Sequence, residues 1–372
     1  MKLGLVHDWL VSPIGGGENV LKAIHEVFPS PIFTLVQNRR KLKGSYFEDL
    51  EISSSFIQSL PFASKKYRSY LPLFPLAVEQ LDVSGFDVVI STSHCVAKGV
   101  MTGPDQLHIC YCFTPMRYAW DLMHQYLEEV GFSRGVRGVL AKTILHYLRG
   151  WDVHSSKRVD AFVTMSKYIA RRIQKYYGRD SQIIYPPVDI DFFTPGNKKG
   201  DYYFTHSRMV PYKKIDVIVE AFSKMPNQKL FIVGEGPEEA KIRCKASQNV
   251  ELLGQKSREE IREYLRGAKG FLFAAIEDFG IAPIEAMACG TPVIGLGKGA
   301  LLETVQEGTC GIFFAEQKAE LICDAVLAFE KMTFDPEKIR QWAEQFSLAR
   351  FQTEFKQFVF DKYHAFRDHL LR

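Results

Sequence analysis

At 372 residues the chain is long for one core and reads as about two domains. Its 46% apolar and 24% charged residues make an ordinary soluble globular composition. A net charge of only +4 is too balanced to argue for a nucleic-acid partner.

Residues 2–6 read as a first strand, and the polar pair His7 and Asp8 follows too soon for a signal peptide's apolar core. No run approaches the ~18 apolar residues that span a bilayer, so a cytoplasmic location is expected. Gly15-Gly16-Gly17 then forms a turn that opens a helix over about residues 18–27. Such a turn either lets the backbone approach a phosphate closely or is purely structural. A dinucleotide fingerprint would need glycine at position 20 and an acid at the end of the second strand. Val20, Gln37 and Asn38 stand there, so NAD binding is disfavoured. Arg39, Arg40, Lys41, Lys43, Lys65, Lys66 and Arg68 gather positive charge in the first third, either as a solvated face or as a patch for an anionic membrane or acceptor.

Residues 86–91 form another strand, which ends in Ser91-Thr92-Ser93-His94-Cys95. The strand over 108–113 contains Cys110 and Cys112 near His108, at the wrong spacing for a zinc knuckle, and both read as buried thiols. Seven scattered cysteines do not make a disulfide framework. A strand at 161–164 leads into a helical pattern over 166–177. This repeated alternation of strand, turn and helix argues for a parallel sheet with crossover helices.

Pro186, Pro187, Pro195 and Gly196 break the pattern and mark a linker over 186–196 between domains at 1–185 and 197–345. Asp189-Ile190-Asp191 has the form of a metal-binding D-x-D but lies in this linker rather than at a strand end, and is rejected as a metal site. After the linker the pattern restarts, with a strand at 202–204, a helix over 215–222 and strands at 229–233 and 249–253. A terminal helix over 346–372 carries Phe351, Phe355 and Phe358 at helical spacing and is expected to pack back on the first domain. Two such domains leave a cleft, and open α/β sheets bind ligands beyond their strands' carboxyl ends.

Residues 270–275 are a nearly unbroken apolar run, which suits a strand buried on both faces. Glu277 lies just beyond it. Pro283 suits the first position of a helix and Gly290 the residue past its end, giving a helix over 283–289 with Glu285 in its first turn. Gly280 and Ile281 then present N–H groups at the positive end, where phosphate is attracted. Arg208 and Lys213 stand five residues apart in a loop after a strand. A planar fork and a point charge suit a diphosphate that gains charge as it leaves.

Taken together, these residues resemble the retaining glycosyltransferases of the GT4 type, with the α/β GT-B fold of two Rossmann-like βαβ domains facing each other across a cleft. The match lies in the E-x7-E element at Glu277 and Glu285, the R-x4-K element at Arg208 and Lys213, the Gly-Gly turn and the proline-rich linker, and it covers essentially the whole chain. The resemblance implies that Glu285 holds the donor's ribose hydroxyls, Glu277 the hydroxyls of the transferred sugar, and Arg208 with Lys213 the diphosphate. Backbone at Gly15, Gly16, Phe279, Gly280 and Ile281 would complete the cradle, with Gln255 and Lys256 beside the base. His94 is similar to the family's first-domain histidine facing the transferred sugar, a satisfied structural histidine being the plain alternative. Residues 114–121 resemble a segment of mannosyltransferase-like members, which sets Arg117 and Tyr118 beside the acceptor, although packing explains the aromatics as well.

The implied activity is metal-independent transfer of a hexose, mannose foremost, from GDP-mannose or a UDP-hexose to a hydroxyl of a saccharide or lipid-linked saccharide in surface polysaccharide synthesis. The basic first third agrees with a habit peripheral to the membrane's inner face. Other classes stay open at this point: a sugar-nucleotide epimerase on the same frame, or a catalytically silent nucleotide-binding scaffold. Phosphorylase-like chemistry lacks a lysine motif for pyridoxal phosphate.

Overall fold

The structure is a computed structural model that describes residues 1–13, 15–129, 131–132, 134–196 and 198–370. Two compact units make up the chain, Met1–Pro186 with Phe351–Arg372, and Pro187–Arg350.

Among the described residues the first unit holds seven strands: β1 Leu3–His7, β2 Ile32–Thr34, β3 Ile52–Ser54, β4 Val88–Ser93, β5 Leu107–Cys112, β6 Ala161–Thr164 and β7 Gln182–Ile183. They run parallel in the order β3-β2-β1-β4-β5-β6-β7. Every residue of β1, β4 and β5 is buried, as central strands covered on both faces by crossover helices must be. Cys110 and Cys112 lie among them as buried thiols. The chain reverses its direction of travel across the sheet between β1 and β4, the position where open α/β sheets hold their ligands.

The helix Lys167–Tyr177 shows how local sequence sets such crossovers. Ser166 caps its start by accepting the Ile169 N–H at 3.1 Å, and Gly178 ends it in the left-handed conformation at φ 64°. At the far end of the chain the helix Leu348–Leu370 buries Phe351, Phe355 and Val359 completely in the core of the first unit. The Phe351 and Phe355 rings stack 5.6 Å apart, and both meet Tyr111 of β5 at 6.0 and 6.2 Å.

The second unit repeats the plan with β8 Tyr203–His206, β9 Leu230–Val233, β10 Val250–Leu252, β11 Gly270–Phe273, β12 Val293–Leu296 and β13 Gly311–Phe314. These too are parallel, in the order β10-β9-β8-β11-β12-β13, so the reversal falls between β8 and β11. Tyr203, Phe222, Leu230, Ile294 and Val326 anchor its separate core. No helix among the described residues is long and apolar enough to cross a membrane.

One helix starts earlier than the sequence suggests. It runs Ile281–Ala288, not from Pro283, because Gly280 adopts φ 88° and turns the chain straight into the first helical residue. Pro283 is the third helical residue, where its missing N–H is still one of the donors that have no intrahelical partner. Glu285 consequently sits in the second turn rather than the first. Gly290 follows the end at φ 67° as expected.

Candidate functional site

In the second unit the turn after β8 and the turn after β11 meet. Glu277 follows the carboxyl end of β11, and its Oε1 accepts a hydrogen bond from Lys213 Nζ. Lys213 closes a tight turn over Pro211–Lys213, followed by Lys214 at φ 56°. A left-handed non-glycine residue stores local strain of the kind found where a backbone must hold a functional geometry. The Lys213 ammonium also lies 6.0 Å from the Phe273 ring centroid and 5.5 Å from that of Tyr212.

The loop that carries Arg208 is fixed by its neighbour after β9. Gly234, at φ 135°, approaches so closely that a Cβ there would fall 1.9 Å from the Ser207 carbonyl oxygen, and one on Gly236 would fall 2.3 Å from that of Met209. The Ser207 N–H donates to the Val233 carbonyl at 3.0 Å and the Met209 N–H to that of Glu235 at 2.9 Å. Arg208 is exposed at the rim of a cavity of about 320 Å3, which is lined by His206, Ser207, Arg208, Val233, Gly234, Glu235, Gln255, Lys256 and Ile261. Both residues that the sequence sets beside a base, Gln255 and Lys256, therefore border one cavity with Arg208. Lys256 additionally pairs with Glu260 at 3.1 Å.

Glu285 reaches back toward β8. Its Oε2 lies 3.4 Å from His206 Nε2, and that nitrogen has no hydrogen-bond partner. Burial pushes the Glu285 carboxyl up to about 7, while burial, with the nearby Lys213 charge, holds His206 down to about 4. Both groups are thus biased toward their neutral forms and keep hydrogen-bonding capacity. Gly280 and Ile281 start the helix that bears Glu285. The Phe279 side chain is turned into the core against the Phe346 ring, 5.7 Å away, which leaves only its backbone for a ligand.

The first unit builds a second constellation at its own reversal point. His94 opens the turn after β4, and its Nδ1 lies 3.0 Å from Oδ2 of Asp8, which follows β1. Asp8 is fully buried and accepts four backbone N–H groups: those of His94 and Cys95 at 2.6 and 2.9 Å on Oδ2, and those of Val96 and Ala97 at 2.7 Å each on Oδ1. Burial alone would raise its carboxyl, but the His94 charge and these hydrogen bonds hold it well below the usual carboxylate range. The His94 ring stands edge-on to Trp9 at 4.4 Å.

Gly15 precedes and Gly16 opens the helix Gly16–Val27. Arg117 and Tyr118 are half-buried, and the Tyr118 hydroxyl lies 2.9 Å from the Cys95 thiol. Trp120 donates to Asp152 at 2.8 Å and stacks on Tyr176, so the aromatics of this segment serve packing. Asp189 in the linker pairs with Arg258 at 2.9 Å.

Asp8, His206 and Gly234 were not singled out from the sequence. A lone Asp after a strand looks like any turn residue, and its partners lie 86 to 89 positions away. His206 lies two residues past the strand expected at 202–204 and is the last residue of β8. Only the Gly234-Glu235-Gly236 spacing after a strand carried a usable signal, that of a backbone needing close approach.

Residues 189–346 match the family model described as "Glycosyl transferases group 1". The chain is 31% identical over 215 residues to a GDP-mannose-dependent monoacylated alpha-(1-6)-phosphatidylinositol monomannoside mannosyltransferase of Corynebacterium glutamicum, covering 47% of this chain and 56% of that one. It is 29% identical over 214 residues to a D-inositol 3-phosphate glycosyltransferase of Mycobacteroides abscessus, covering 51% and 46%. The chain therefore spans about half the length of the curated relatives it matches. Among solved structures, Anabaena HepE in complex with UDP superposes with a TM-score of 0.70 at 14% identity, covering 97% of this chain and all of that one, a likeness of fold.

Proposed function

On the premise that residues 189–346 form a group 1 glycosyltransferase domain, we propose that this protein transfers a hexose from a nucleoside-diphosphate sugar to an acceptor hydroxyl, with retention of configuration. The observation that carries this reading is the hydrogen-bonded pair Lys213 and Glu277 at the carboxyl ends of β8 and β11, with Arg208 borne on the same loop after β8 as Lys213. Arg208 and Lys213 take the diphosphate and stabilise the charge that develops as it departs. Glu277 accepts from the hydroxyls of the transferred sugar and Glu285 from the ribose hydroxyls, each a carboxylate matched to vicinal donors. His206 Nε2 offers the same ligand a further polar contact. The N–H groups at Gly280 and Ile281 face the phosphates from a helix start, and Gly15 and Gly16 supply a like backbone end in the first unit.

Departure of the nucleoside diphosphate leaves an oxocarbenium-like sugar, which the acceptor hydroxyl attacks on the same face. The diphosphate oxygen takes the proton. His94, held by Asp8, serves the sugar, and Arg117 the acceptor. Two cations neutralise the leaving group, so the charge balance calls for no divalent metal. Mannose from GDP-mannose is the donor reading supported by the name of the Corynebacterium relative, and a lipid-linked saccharide of surface polysaccharide is the acceptor reading that agrees with the phosphatidylinositol monomannoside in that name. The relatives are named as transferases, which disfavours the epimerase alternative.

Thermal-shift titration with GDP, UDP and ADP tests the donor, because a ligand that binds only the folded state raises the melting temperature by mass action. GDP is expected to give the largest rise and ADP the smallest. A larger rise with UDP transfers the reading to a UDP-hexose, and no rise with any of the three overturns the transferase reading.

A further inference from the structure

Over its first half, up to Tyr147, the helix Gly135–Ser156 is largely apolar on the side that faces away from the protein, with exposed Thr143 among the apolar side chains and exposed Gly150 and His154 following on the same side. Its inner side is set by Gly138, Leu145, Leu148 and Asp152, all buried. A surface helix ordinarily turns polar residues outward. At roughly 100° per residue, the direction opposite the buried side belongs here to Val136, Val139, Leu140 and Tyr147, which are 87%, 66%, 60% and 54% exposed. Exposed Arg137 borders this stripe on one flank and exposed Lys142 on the other.

Composition isolates the same segment. From residue 131 to 151 the sequence contains four Lys and Arg residues and no Asp or Glu. Residues 52–78 repeat the pattern, with Lys65, Lys66 and Arg68 and again no carboxylate. They present Phe62 at 72% exposure and φ 56°, a left-handed conformation that bulky residues seldom adopt. The inner sides of both segments belong to one hydrophobic cluster, which holds Tyr67, Phe74, Leu145 and Leu148.

We propose that the outward face of the helix Gly135–Ser156 docks the first unit on an anionic lipid bilayer. Val136, Val139 and Leu140 enter the interface, and Arg137 and Lys142 meet the lipid phosphates. Charge decides the occupant. A second copy of the same face would oppose cations to cations, whereas an anionic bilayer complements them and accepts the apolar stripe between them. The inference deepens the lipid-linked acceptor reading above, on which it rests, and moves the membrane contact from charge alone to a defined helix face.

Co-sedimentation of the full chain with vesicles tests it, comparing phosphatidylcholine alone with mixed phosphatidylcholine and phosphatidylglycerol. Binding is expected only to the mixed vesicles, to weaken at high salt, and to fall about tenfold or more in a Val136→Asp/Leu140→Asp double variant. Arg137→Glu, a single exposed change, should weaken it independently. Unchanged melting temperatures and an unchanged nucleotide-induced shift establish that both variants are folded. Wild-type protein that ignores both vesicles, or variants that bind as wild type does, overturn the proposal. So does a wild-type dimer in sedimentation velocity that the double variant abolishes, since the face would then belong to a second copy. Vesicle binding without any nucleotide-induced shift would leave the docking face standing and remove the donor reading instead.

Discussion

Lys213 and Glu277 neutralise one another at the strand ends of the second unit. On the proposed reading, an arriving diphosphate would compete with the carboxylate for the ammonium, and Glu277 would be freed for sugar hydroxyls as Lys213 takes up phosphate charge. Lys213→Ala should therefore cost about 2–4 kcal/mol of transition-state stabilisation, read as kcat/KM against wild type. Turnover within about threefold of wild type would end the role given to it. Glu285 makes a different prediction. With its carboxyl held up to about 7, it carries a proton in mildly acidic solution and must lose it to accept two ribose hydroxyls. Nucleotide affinity by calorimetry should then fall by as much as about tenfold per pH unit below 7, beyond any fall shared with Glu285→Gln. Identical pH profiles for the two proteins would refute this. The same raised value works on the fold with the opposite sense. The stability conferred by protonated Glu285 is complete below the ordinary glutamate value of 4.5 and is lost as pH rises through about 7.

At the scale of elements, the helix Leu348–Leu370 is the most consequential single piece, because the last part of the chain completes the core of the first. Phe355 is fully buried against Tyr111 and Phe351. Phe355→Ala should destabilise the first unit by about 3–5 kcal/mol in urea unfolding, and a loss under about 1 kcal/mol would show the helix to be peripheral. Its aromatic period pointed to this packing from the sequence, as the nearly unbroken apolar run over 270–275 pointed to β11. The start of the helix Ile281–Ala288 was not legible. Proline's preference for the first helical position pointed to Pro283, but a glycine free to take φ 88° began the helix two residues earlier, and no local rule ranks the two signals. The short edge strands β3 and β7 also escaped notice, being too brief to show any period.

For the molecule as a whole, two parallel sheets with separate cores confine the ligand-bearing turns to strand ends, so bound nucleotide should leave a regional signature. Hydrogen exchange in the presence of GDP should slow at residues 208–213 and 280–285 and at the Gly15–Gly17 turn, with β5 unchanged. Protection absent from residues 187–350 would contradict the donor assignment. Arg208, Lys213, Glu277 and Glu285 could be grouped as candidates from the sequence because all four lie within one unit. The Asp8 contacts did not announce themselves, since they depend on which strands become neighbours.

Beyond the His94 ring, Asp8 reads the loop after β4 through backbone N–H groups rather than side chains. What that loop must therefore inherit is its length. Residues 95–97 are buried, so their size is constrained, but any residue other than proline that fits keeps the N–H the carboxylate needs, whereas a one-residue insertion or deletion would leave part of a buried charge unsolvated. Among descendants of this chain, drift by conservative substitution should be tolerated there and drift by indel should not.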